Sequence, residues 1–149
     1  MKAFRWFFLA QPAPLPETLI TVSAIPYLHA TLSEWTATKD LSAFAADALA
    51  AYEAAFGDPL VISASCRDYR AGWTVDRLDD AADVKAGRTI RCPTLALWGR
   101  AEFSDDNEVL PIWKQICPYI QGKGFDCGHF LPEEAARETA EARDEFFGE

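Results

Sequence analysis

The sequence holds only two histidines, and its four cysteines (Cys66, Cys92, Cys117, Cys127) fall at no paired spacing. A structural zinc site and a compact disulfide framework both need such pairs, so neither is expected, and no other cofactor is called for. Unpaired cysteines fit reduced thiols in a cytoplasmic protein. Positive charge is also scarce. Fourteen Lys and Arg against 23 Asp and Glu leave a net charge of −9, which argues against nucleic acid or an anionic membrane as partner. A small anion would therefore need a local cluster of donors to overcome the global field. No apolar run approaches the length of a membrane span: the stretch 4–10 stops at prolines 12, 14 and 16, and its cleavage pattern does not suit a leader.

What is present suits one domain. The 149 residues are half hydrophobic, enough for a core and too many for a disordered chain. Residues 1–85 read as helical and loop-rich. A short helix over 1–10 carries an aromatic face of Phe4, Trp6, Phe7 and Phe8. Residues 11–16 are predicted to be extended, because a proline disfavours helix at the residue before it. Helices follow over 17–20 and 27–35, separated at Pro26. A longer one covers 41–56, with Ser42 as its cap and a stop at Gly57-Asp58-Pro59. The last runs over 60–78, interrupted near Gly72, with an acidic run at Asp79, Asp80 and Asp83.

Residues 86–149 follow another pattern. Thr94-Leu95-Ala96-Leu97-Trp98-Gly99 is a continuous apolar run of strand length, suited to burial on both faces. A helix over 107–116 turns Val109, Leu110, Trp113 and Ile116 inward, and a second strand over 119–125 follows. Strand, helix and strand at this spacing imply parallel pairing. Asp126-Cys127-Gly128-His129 then makes a tight turn in which glycine can take a backbone angle other residues avoid. A helix over 132–147 follows, with Pro132 in its first turn and Glu133 and Glu134 at its positive end. His129 thus projects from a fixed junction of strand and helix. By itself a Gly-His pair is most often a surface feature; its neighbours give it weight. Two parallel strands are few for a stable sheet, so the segment reads as part of a larger one.

Four stretches together resemble the haloacetate dehalogenases, fluoroacetate dehalogenase included, of the α/β-hydrolase fold. They are Trp6-Phe7-Phe8-Leu9-Ala10-Gln11-Pro12-Ala13-Pro14-Leu15-Pro16-Glu17, Cys66-Arg67-Asp68-Tyr69-Arg70-Ala71-Gly72, Leu95-Ala96-Leu97-Trp98-Gly99, and Gly128-His129-Phe130-Leu131-Pro132-Glu133-Glu134. They occur in the family's order and span essentially the whole chain, which corresponds to the C-terminal half of a member. The resemblance implies an α/β protein with a partial α/β-hydrolase fold. Residues 1–85 would be the helical cap and return helix; residues 86–149 would be the last two parallel strands and flanking helices of the main sheet. The upstream aspartate of members sits in a G-x-D-x-G-like turn, and neither that motif nor G-x-S-x-G occurs here.

In such enzymes a carboxylate displaces halide from carbon and a histidine-activated water hydrolyses the resulting ester. His129 matches that histidine. Trp6 and Tyr69 match the donors that hold the leaving halide, through an indole N–H and a phenol. Arg5 departs from the histidine of fluoride-active members; being longer and permanently charged, it could attract halide or carboxylate, or fill the pocket. Glu102 sits where a W-G-x-x-D pattern would place the acid partner of His129, and a solvated loop glutamate is its plainer reading. The implied ligand is a small haloacid, with a second copy or a complementing N-terminal half as possible protein partners. Two other readings stand beside this one: a non-catalytic fragment that pairs with a chain supplying more strands, and half of an epoxide-hydrolase-like enzyme.

Overall fold

A computed structural model describes residues 2–101 and 106–148. The chain forms two compact units, one of residues 1–30 with 46–86 and one of residues 31–45 with 87–149. Residues 31–45, drawn from the N-terminal half of the sequence, therefore belong with the strands.

The first unit is all helix: α1 (Lys2–Leu9), α2 (Leu15–Thr21), the first half of α3 (Ala24–Trp35), α4 (Ala46–Phe56), α5 (Pro59–Trp73) and α6 (Val75–Lys85). Its core is small. Leu9, Ile20, Ile62 and Cys66 are buried together, with Phe8, Tyr27, Phe56 and Tyr69 packed around them. Several boundaries depart from the sequence reading, mostly at prolines. Residues 11–16 are not extended: Leu15 N donates to Pro12 O, and α2 starts before Pro16, which takes a first-turn position where its missing N–H costs nothing. Pro26 likewise lies in the first turn of α3 rather than at the break. Helix α4 begins five residues later than its spacing suggests, and Ser42 does not cap it. The Ser42 hydroxyl donates to Asp40 Oδ1 at 2.6 Å instead. Asp58, by contrast, caps α5, its carboxylate accepting from Leu60 N at 2.8 Å. The interruption near Gly72 falls at Thr74, between α5 and α6.

The second unit contains β1 (Thr94–Gly99), α7 (Asp106–Lys114), β2 (Ile120–Phe125), α8 (Leu131–Glu134) and α9 (Ala136–Phe147). The strands are parallel, with Thr94 opposite Ile120 and Gly99 opposite Phe125. Beyond β1 the pairing continues, as Arg100 N donates to Phe125 O and Ala101 N to Cys127 O. This extension delivers the chain from β2 into the turn that bears His129. Phe125, Cys127 and Ala142 are buried against Leu97, Leu131 and Ala135. Only Trp98 and Gly99 of β1 are fully buried; Thr94–Leu97 are half-buried, against the expectation of two covered faces. Trp113, expected inward, is 44% exposed. The single helix predicted over 132–147 divides at Ala135, whose φ of −141° and ψ of 48° are not helical.

Candidate active site

His129 stands on a platform assembled from two distant segments of the second unit. Its backbone N–H donates to Trp35 O at 2.8 Å. Its ring meets Trp35 edge-on at 4.5 Å between centroids and Phe130 at 5.3 Å. Phe130 in turn packs on the buried Phe44 at 5.1 Å. His129 is exposed as a residue, and its aromatic contacts hold one side of the ring.

Gly128 is essential to that packing for a reason other than the one its position suggests. Among the described residues, positive φ is confined to Lys39, Gly87 and Gly148. Gly128 therefore serves close approach: a Cβ there would lie 2.5 Å from both Ala37 N and Trp35 O. Glu134 reinforces the same contact. One carboxylate oxygen accepts from Ala37 N at 2.7 Å and Gly128 N at 2.9 Å, and the other from Phe130 N at 3.1 Å. The glutamate expected merely to favour a helix N-terminus thus turns back onto the loop that precedes it.

In the first unit, Trp6, Tyr69 and Arg5 come together. The indole of Trp6 meets the Tyr69 ring edge-on at 4.8 Å. Arg5 is 9% exposed, and its guanidinium donates to Ala30 O at 3.4 Å. Burial pushes the Tyr69 phenol above its usual range, and the nearby Arg5 charge offsets part of that rise. The phenol thus stays a proton donor at neutral pH, beside an indole that can only donate and a permanent cation. These are the groups a small anion requires once stripped of water.

One turn of α5 beyond Cys66, Arg70 forms an ion pair with Glu17 of α2 at 2.5 Å and donates to Gln11 O at 3.0 Å. It ties down the segment that follows α1. Burial raises the thiols of Cys66 and Cys127, the first further by Glu17 and the second by Glu134, Asp126 and Glu138. Neither sulfur is a ready nucleophile. Among the described residues, no three His, Cys, Asp or Glu side chains gather as metal ligands would.

No protein-family model matches the chain. A fluoroacetate dehalogenase from a Burkholderia species is 32% identical over 147 residues, which are 98% of this chain and 47% of that enzyme. A protein from Nostoc sp. PCC 7120 assigned as an α/β hydrolase superposes with a TM-score of 0.89 at 44% identity, over 97% of this chain and 49% of the other. A protein from Pseudomonas aeruginosa assigned as an epoxide hydrolase superposes at 0.90 with 36% identity, over 98% and 49%. The chain has the fold of the C-terminal half of an α/β hydrolase and is similar in sequence to a fluoroacetate dehalogenase.

It spans about half the length of the relatives it matches. Within this α/β-hydrolase segment, Arg5, Trp6 and Tyr69 share one unit and His129 lies in the other. Glu102, the candidate acid, lies outside the described residues. Among those described, no side chain hydrogen-bonds the His129 imidazole. The part that Trp35 and Glu134 play in this platform escaped the sequence reading. Trp35 looks like one more apolar position of a helix, and Glu134 falls at no recognised capping interval from the groups it binds.

Proposed function

We propose that this α/β-hydrolase chain supplies the base and the anion-binding donors for hydrolysis of a carbon–halogen bond in short haloacids. The cluster of indole, phenol and guanidinium in the first unit carries this reading, because it gathers hydrogen-bond donors and a positive charge that favour an anion. A carboxylate contributed by residues outside this sequence attacks the halogen-bearing carbon; the carbon–halogen bond breaks and the halide leaves toward Trp6 and Tyr69. His129 then takes a proton from water and the resulting hydroxide attacks the ester carbonyl; the carbon–oxygen bond breaks, the imidazolium returns its proton to the departing alkoxide, and the hydroxyacid leaves with the carboxylate restored. Arg5 adds positive charge to the donor cluster. Within residues 1–85, the helices of the first unit act as cap and return helix. The enzyme works in the cytoplasm without a cofactor, and this segment acts together with the remaining strands of its sheet.

The test joins this chain to whatever in-frame sequence lies upstream of its coding region and follows halide release from chloroacetate and fluoroacetate. Turnover is expected with chloroacetate, and His129→Ala slows ester hydrolysis by about 10²- to 10⁴-fold, with the ester accumulating. Normal turnover in the alanine variant removes His129 from the mechanism. An epoxide-opening reaction is the second reading, favoured by the Pseudomonas neighbour and by the protonated Tyr69 phenol. Diol formation from a small epoxide without halide release would decide for it.

A further inference from the structure

We propose that Glu134 is a positioning residue for His129: its carboxylate binds the backbone on both sides of the histidine and sets the direction of the imidazole. The two amides flanking His129, those of Gly128 and Phe130, donate to the two oxygens of this one carboxylate at 2.9 and 3.1 Å. The amide of His129 itself donates to Trp35 O at 2.8 Å. Three consecutive N–H groups are therefore committed, and the histidine backbone is fixed before its side chain is considered. The Gly128-bound oxygen also accepts from Ala37 N at 2.7 Å, 97 residues away in sequence. Trp35, whose ring abuts the imidazole, is held by the same clamp through the Ala37 turn.

A helix cap would need less. Glu134 is the last residue of α8, and one bond to Phe130 N would already satisfy the open amide at the start of that helix. The bonds to Gly128 and Ala37 do no such work; they lock the His129 turn onto the Trp35–Ala37 turn. The clamp also needs an anion. An ionised carboxylate accepts at both oxygens and donates at neither, whereas a glutamine amide has one accepting end and would turn N–H against N–H at the other. Gly128 makes the arrangement possible, since a side chain there would separate the two turns by more than the hydrogen bonds can span.

The proposal rests on His129 being the base, yet its test reads imidazole geometry alone and so can fail separately from any assay of hydrolysis. The 149-residue chain, isotopically labelled, is compared with Glu134→Gln and Glu134→Asp by NMR. The readouts are the contacts between the His129 and Trp35 ring protons, the ring-current shift of the imidazole, and its χ1 couplings. In Glu134→Gln the ring contacts weaken, the shift moves toward the random-coil value and the couplings average, while the dispersion of the remaining spectrum is kept. Glu134→Asp retains the charge but not the reach, and shows the same loss. Imidazole contacts and couplings unchanged in either folded variant, even with lowered overall stability, would make Glu134 a structural residue only and overturn the proposal. Hydrogen exchange of the unmutated chain decides the matter should both variants unfold. The amides of Ala37, Gly128 and Phe130 are expected to share one protection factor, and free exchange at Gly128 or Phe130 would sink the idea.

Discussion

Tyr69 shows how one residue's surroundings set its chemistry. Burial raises its phenol, Arg5 pulls it partly back, and Asp68 adds a small push upward. A folded-state value above the ordinary 10.0 means the folded protein holds this proton more tightly than the unfolded chain. The associated stability is fully present below pH 10.0 and is lost as pH rises through the folded-state value. Urea unfolding between neutral pH and the alkaline limit should therefore show a decline that is shallower in Tyr69→Phe. If the donor cluster holds halide, Trp6→Phe and Tyr69→Phe should each weaken a saturable chloride or bromide quench of tryptophan fluorescence by about tenfold, the loss of one hydrogen bond to an ion. A quench that is linear in the intact chain would remove the site. At Gly128 the constraint is steric. Alanine there meets backbone atoms at 2.5 Å on both sides, which predicts a loss of about 1–3 kcal/mol or more and a displaced Trp35, read by urea unfolding and Trp35 ring shifts.

Between elements, the Arg70–Glu17 pair is the clearest polar tie, joining α5 to α2 with both side chains largely shielded, at 22% and 15% exposure. Burial raises the Glu17 carboxyl, but its bond to Arg70, its own backbone N–H and the Arg70 charge together outweigh that and leave it lowered. Its stabilisation is therefore present above pH 4.5 and disappears as pH falls below that value. Arg70→Met should cost about 2 kcal/mol, and Glu17→Gln should flatten the acid limb of the stability profile; a limb unchanged in the variant would mean that other carboxylates govern it. This tie was not visible in sequence, since nothing in residues 17 and 70 announces a partner 53 positions away. Strand β1 was visible to the residue, because an unbroken apolar run ending in glycine has few other solutions. Helix α4 was misjudged at its start because Leu41 and Phe44 continue a helical spacing, whereas Phe44 is buried beneath Phe130 in a turn. His129 drew attention through a family resemblance, but the carboxylate bonds that hold its loop gave no such signal. Hydrogen bonds to backbone leave no mark on the residues that donate them.

At the scale of the molecule, apolar surface is abundant. Among the described residues β1 pairs only with β2. A groove of about 720 Å³ runs beside β1, lined by Ile90, Leu95, Leu97, Ala136, Ala140 and Phe146 among others. An uncovered strand edge beside an apolar groove is a template for pairing. The 149-residue chain alone should therefore self-associate with rising concentration in sedimentation velocity, and a single monomeric boundary at every concentration would contradict this. Residues 31–45 bring a further consequence. They are made early, yet they complete a structure whose other parts come from residues 87–149, and the Ala37–Glu134 bond closes a loop of 97 positions. On a translating ribosome the early turn must wait, solvated and unmatched, while the whole of α4 to α6 and both strands are synthesised. The seat of the histidine is thus among the last features of the chain to take shape, and an interrupted synthesis leaves Trp35 without the ring it was placed to meet.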